Sequence, residues 1–136
     1  MAVQSNVIRT WAWIDLIVTA LMAVPPLAVI FIELLYALNG LMGGTATPPD
    51  FAAIHWLFVC VAGTLGVAWA VARISQPVRP LGIIDGLARL WVSALIVYYV
   101  LEREAPAALL VFLVTEIIGA IHQLWVLRRP QRHSAW

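Results

Sequence analysis

Four stretches of this chain, roughly residues 10–37, 51–74, 81–101 and 106–128, are apolar over a length that crosses a bilayer. A hydrocarbon core about 30 Å thick takes about 20 residues of helix. Each stretch therefore reads as a transmembrane helix. Of the 136 residues 63% are hydrophobic and 11% charged, with a mean hydropathy of +0.95; a soluble domain is about half apolar and a quarter charged. The first stretch is longer than a cleaved signal peptide, and it opens on Trp11 and Trp13 rather than on a basic segment. Few residues remain for a soluble domain. The expected fold is all-α: residues 1–136 as a single transmembrane domain, an integral membrane four-helix bundle.

The basic residues set an orientation. All eight are arginines. Arg9 precedes the first helix, Arg73 and Arg79 fall in the second connection, and Arg128, Arg129 and Arg132 follow the fourth helix. The first connection, NGLMGGTATPPD, has no basic residue, and the third has only Arg103 between Glu102 and Glu104. An excess of positive charge marks the cytoplasmic side, so the expected topology is N-in/C-in. Trp11, Trp13 and Trp125 then fall at the inner interface, with Tyr36, Trp56, Tyr98 and Tyr99 towards the outer one. Gly40, Gly43, Gly44, Pro48 and Pro49 break the chain after the first helix, Asp50 suits the N-cap of the second, and Pro106 suits the first turn of the fourth. The lone Cys60 excludes an internal disulfide.

Chemistry resides in the polar groups inside these helices. At about 1.5 Å per residue, Asp15, Asp85, Arg89, His122 and Gln123 lie in the inner half of the membrane and Glu116 near its middle. Glu33 and His55 lie near the outer face. Helical phase aligns Asp15 with Thr19, Met22, Pro26 and Glu33; His55 with Ala62, Gly66 and Arg73; Arg89 with Gly82, Gly86 and Ser93; and Glu116 with Ala120 and Gln123. The polar residues track the small ones and so point inward. A lone charge at the bilayer centre costs at least ~3 kcal/mol, which makes pairing the rule. Asp85 and Arg89, four apart, can pair within their helix. Glu116 has no such partner and needs either Arg89 from across the bundle or a proton.

Two readings stay open. Arg89 shared between Asp85 and Glu116 would bolt the third helix to the fourth. Alternatively Glu116 and His122, with Asp15, are the acid and base of a pocket bound by Arg89, Asp85, Gln123 and Trp13. Glu33 and His55 form a second candidate pair, suited to proton transfer if they meet. Pro25 and Pro26 kink the first helix at mid-membrane, free the carbonyls of Leu21 and Met22, and would open a cavity. No cofactor is expected. A haem between His55 and His122 is disfavoured by depths differing by roughly 15–20 Å, and no Cys or His has metal-ligand spacing. The basic tail with His133 suits a lipid surface rather than nucleic acid.

From Phe51 to Arg129 the chain resembles the DoxX-like group of small four-span bacterial membrane proteins. The residues that carry this are the Gly86-Leu-Ala-Arg89-Leu segment, Pro106, and Glu116 within LVTEII. The likeness covers a little over half the chain, and the first helix, with Trp11, Trp13, Asp15 and the proline pair, departs from it. The resemblance implies the four-helix fold and a multi-pass place in the bacterial cytoplasmic membrane, and it marks Arg89 and Glu116. It implies no reaction.

The expected function is binding of an apolar molecule, such as an isoprenoid, sterol-like or polyketide compound, in an intramembrane cavity. Carboxylic acids beside tryptophans suit acid–base isomerisation, cyclisation or epoxide opening there. One alternative is a small proton-coupled multidrug exporter with its acid at Asp15, although such exporters need a weaker charge bias. Another is a structural subunit of a membrane complex. The expected partners are the bilayer and the apolar molecule, with a homo-oligomer left open.

Overall fold

A computed structural model describes residues 2–128; Arg129, Arg132, His133 and Trp136 lie outside the described residues. Among these residues there are five helices and no strand: α1 (Ala2–Ala23), α2 (Pro25–Leu41), α3 (Ala53–Ser75), α4 (Arg79–Glu102) and α5 (Leu109–Leu127). Four are long and apolar enough to cross a membrane: α1 from Val3, α3, α4 and α5. The 17-residue α2 is the shorter one.

The first expected helix is thus two helices, a break in place of a kink. Val24 is extended, at φ −107° and ψ 115°, because the ring of a following proline excludes the residue before it from helical backbone. Pro25 and Pro26 then open α2, where a missing N–H costs nothing. The Ala28 N–H donates to the Val24 carbonyl at 2.9 Å and restarts the ladder. Helix α1 also begins at Ala2 rather than near residue 10. Its first turns are amphipathic, burying Val7, Ile8, Trp11 and Ala12 at helical spacing, so hydropathy alone misses them.

Two other expected boundaries differ. Ala52, not Asp50, precedes α3, and its N–H is taken by Nδ1 of His55 at 3.1 Å. Pro106 stands before α5, its carbonyl accepting the Leu109 N–H at 3.0 Å.

The helices pack as two antiparallel pairs. α1 lies along α3, α4 lies along α5, and α1 also touches α4 and α5. Glycines bring the helices close. Backbone atoms of Met22 and Ala23 fill the place a Gly63 side chain would take, and Thr19 fills that of Gly66. Leu127 and Ile8 lie against Gly82, and Leu124 lies against Gly86. At the other end of the molecule α2 reaches α5, where Phe31 meets Phe112 edge-on at 6.1 Å.

Burial runs opposite to that of a soluble protein. The largest fully buried side chains are Arg73, Ile8, Leu127, Gln123 and Asn39, while Leu34, Phe58, Leu65, Trp91 and Ile121 are exposed. Water-soluble chains almost never bury arginine in preference to leucine. In hydrocarbon the preference inverts, because lipid tails solvate leucine and the polar groups must find one another. This is the exterior of a multi-pass membrane protein.

Candidate functional site

Spacing within each helix builds the site. Trp11 and Asp15 on α1, Trp69 and Arg73 on α3, and Asp85 and Arg89 on α4 are all four residues apart, so each pair shares a face. On α5, Glu116 and Gly119 are three apart. The packing turns these faces towards one another.

Two guanidiniums and three carboxylates meet there. Arg73 reaches Asp15 Oδ2 through Nη2 and Asp85 Oδ2 through Nη1, both at 2.6 Å. Arg89 donates from Nε to Asp85 Oδ2 at 3.0 Å, from Nη1 to Glu116 Oε2 at 3.1 Å, and from Nη2 to Asp15 Oδ2. Trp69 donates its indole N–H to the other Asp85 oxygen at 2.9 Å. Each arginine also lies over an aromatic face: Arg73 is 5.6 Å from the centre of Trp69 and Arg89 is 5.1 Å from that of Trp11. Gly119 leaves the room on α5 that the Arg89 stem and Trp11 occupy.

Accessibility divides the network. The side chains of Arg73, Arg89 and Asp85 are 0%, 4% and 5% exposed, whereas Asp15 and Glu116 are each 20% exposed. The cations and one carboxylate are sealed in, and two carboxylates reach the surface. As expected for a shared arginine, Arg89 joins Asp85 and Glu116; it also takes Asp15.

His122 is placed otherwise. It is exposed, and its Nδ1 accepts the Trp11 indole N–H at 3.3 Å, with the rings edge-on at 77°. Six residues further along α5 than Glu116, it is about 9 Å on in helical rise, and the partner of each is different, Trp11 for His122 and Arg89 for Glu116. Gln123 is fully buried, and among the described residues neither its amide oxygen nor its nitrogen has a hydrogen-bond partner. Trp13 is 54% exposed and away from the site. Two residues along a helix is about 200° of rotation, so Trp11, four before Asp15, takes the inward position.

The outer pair does not meet either. Glu33 and His55 are both exposed, no hydrogen bond or ion pair among the described residues joins them, and His55 instead contacts Ala52 and the Phe51 ring. Arg73, which the sequence places in a connection, is a central member of the network. The signal for it lay in its phase with Gly66 and in Trp69 one turn earlier.

Chemically, the cluster fixes positive charge in the interior and offers Asp15 and Glu116 as acceptors of a hydrogen bond or a proton. Among the described residues no three His, Cys, Asp or Glu are grouped to hold a metal, since guanidiniums fill the space between the carboxylates. Comparison with protein-family models, with curated proteins and with solved structures finds no match.

Proposed function

We propose that α1, α3, α4 and α5 form a four-helix bundle of the DoxX-like kind in a bacterial inner membrane, with both termini cytoplasmic. In this reading the protein binds an apolar molecule that presents a polar group to Glu116 and Asp15. The observation that carries this is the setting of Glu116. It is partly exposed, its one ion pair among the described residues is to Arg89, and it is followed in α5 by Ile117. Ile117 lines an apolar groove of about 430 Å³ between α4 and α5, with Val97, Leu101 and Leu113. Ser93, one turn beyond Arg89, is at the near end of that groove, so an apolar body in the groove sets its head beside the network.

Charge counting gives the pair its chemistry. Three carboxylates face two guanidiniums, so the five groups carry one carboxylate in excess. A carboxylic acid at the head of an apolar ligand suits proton donation to an alkene, an epoxide or a carbonyl. The same excess carboxylate favours a second reading, an exporter that exchanges its proton for a lipophilic cation.

The test is mass spectrometry of the apolar compounds extracted with the purified wild type, Glu116→Gln and Asp15→Asn. A compound enriched in the wild type and lost from both variants, with their folding intact, supports the binding reading. Identical extracts overturn it. Proton release from proteoliposomes on adding tetraphenylphosphonium, absent in Glu116→Gln, would establish the exporter instead.

A further inference from the structure

At the end of the α4–α5 pair where α4 begins and α5 finishes lies a second groove, of about 560 Å³. Its lining is Ile83, Ile121 and Leu124 along the helices, with Arg79, Trp125 and Arg128 at the helix ends. Arg79 is the first residue of α4, and its Nε donates to the Leu127 carbonyl at 2.8 Å, which completes the last turn of α5 and anchors the guanidinium. Arg128 lies over the Trp125 ring, 5.8 Å from its centre. Neither arginine has an ion pair among the described residues, and no acidic residue lines the groove. The contrast with Arg73 and Arg89, which hold three carboxylates between them, is complete. Two cations thus stand at the mouth of an apolar channel, at the ends of helices built to cross a bilayer.

We propose that this groove binds one anionic glycerophospholipid of the surrounding bilayer. Its phosphodiester lies between Arg79 and Arg128, and an acyl chain runs over Ile83, Ile121 and Leu124. Guanidinium N–H groups match phosphate oxygens in pairs, and tryptophan settles at headgroup depth. Basic pockets between transmembrane helices are favoured sites for anionic headgroups. This site is separate from the Glu116 groove and does not depend on what binds there.

The full chain is reconstituted in phosphatidylcholine vesicles carrying a minor fraction of brominated phosphatidylglycerol, or of brominated phosphatidylcholine as the neutral control. Quenching of Trp125 is obtained by subtracting the signal of Trp125→Phe. The anionic lipid should quench preferentially, each arginine contributing about a fivefold preference. Arg128→Gln should remove its share, and Arg79→Gln with Arg128→Gln should abolish the preference. Arg128→Gln changes an exposed end residue, so it separates lipid loss from misfolding. Equal quenching by both lipids in the wild type, or a preference surviving in the double variant, overturns the proposal. Quenching of Trp125 by neither lipid also overturns it, because the groove is then closed to lipid.

Discussion

Arg73 sits in the last turn of α3, yet its side chain is fully buried and its Nη2 stands 2.6 Å from Asp15 of α1. An arginine so near a helix end has the length to reach water or headgroups. Here it turns inward, and its other terminal nitrogen contacts Asp85 of α4 at 2.6 Å. The α1–α3 pair and the α4–α5 pair are thereby tied together by charge as well as by packing.

Arg73→Ala and Arg89→Ala should each lower the melting temperature in detergent. Removing one member of a buried ion pair costs about 3–5 kcal/mol, because the carboxylates left behind are stranded. The double variant should lose less than the sum, since both arginines serve Asp15 and Asp85. An unchanged melting temperature for Arg73→Ala would mean that this side chain reaches the headgroups after all.

Asp85→Asn should be more damaging than Glu116→Gln. Asp85 is held by Trp69, Arg73 and Arg89, whereas Glu116 is held by Arg89 and is partly exposed. Hydrogen bonds to charged groups are worth about 1.5–3 kcal/mol each. Asp85 accepts two, from Trp69 and Arg89, beside the Arg73 ion pair, against one for Glu116, so thermal denaturation should rank the two variants clearly. Glu116 as the more sensitive position would contradict the geometry.

Gly63→Leu should pull α1 away from α3, because its side chain would meet backbone of Met22 and Ala23, which cannot rotate aside. Overpacking of this kind costs about 1–3 kcal/mol. Gly40→Ala is the control: nothing lies within 4 Å of the added atom, and alanine favours helix by about 1 kcal/mol. Melting curves of opposite sign are expected.

Reporter fusions after Trp136 and within the Gly40–Pro49 connection should give opposite answers, with the C-terminal one cytoplasmic. Arg73 belongs to the network and Arg9 lies inside α1, its Nε donating to the Ile74 carbonyl, which leaves Arg79, Arg128, Arg129 and Arg132 on that side against Arg103 on the other. A periplasmic C-terminus would reverse the proposed orientation.

Length and apolarity were legible in the sequence because a bilayer demands both, and α3, α4 and α5 fall within a few residues of their expected bounds. The Asp85–Arg89–Glu116 contact was legible too, because i,i+4 spacing and the cost of a lone charge leave few alternatives. Arg73 was harder to see: at the end of an apolar run an arginine reads as a loop cation, and only its phase with Gly66 and Trp69 points inward. Trp11 and Trp13 are equally apolar, so only the phase relative to Asp15 separates them. The proline pair announced a disturbance but not its size, and whether Glu33 meets His55 depends on helix rotation, which hydropathy does not encode.

The link between Asp15 and Arg73 spans 58 residues of chain, and that from Asp15 to Arg89 spans 74. A ribosome therefore delivers α1 to the membrane with its aspartate before either counter-ion exists. Helix α1 is also the least apolar of the four spanning candidates. We expect nascent chains truncated ahead of Arg73 to hold α1 poorly in the bilayer in a protease-protection assay, and chains extended through α3 to hold it firmly; equal protection would show that α1 partitions unaided. On this account α1 completes its entry only when α3 arrives, and Arg73 is a checkpoint in biogenesis as well as a strut in the finished molecule.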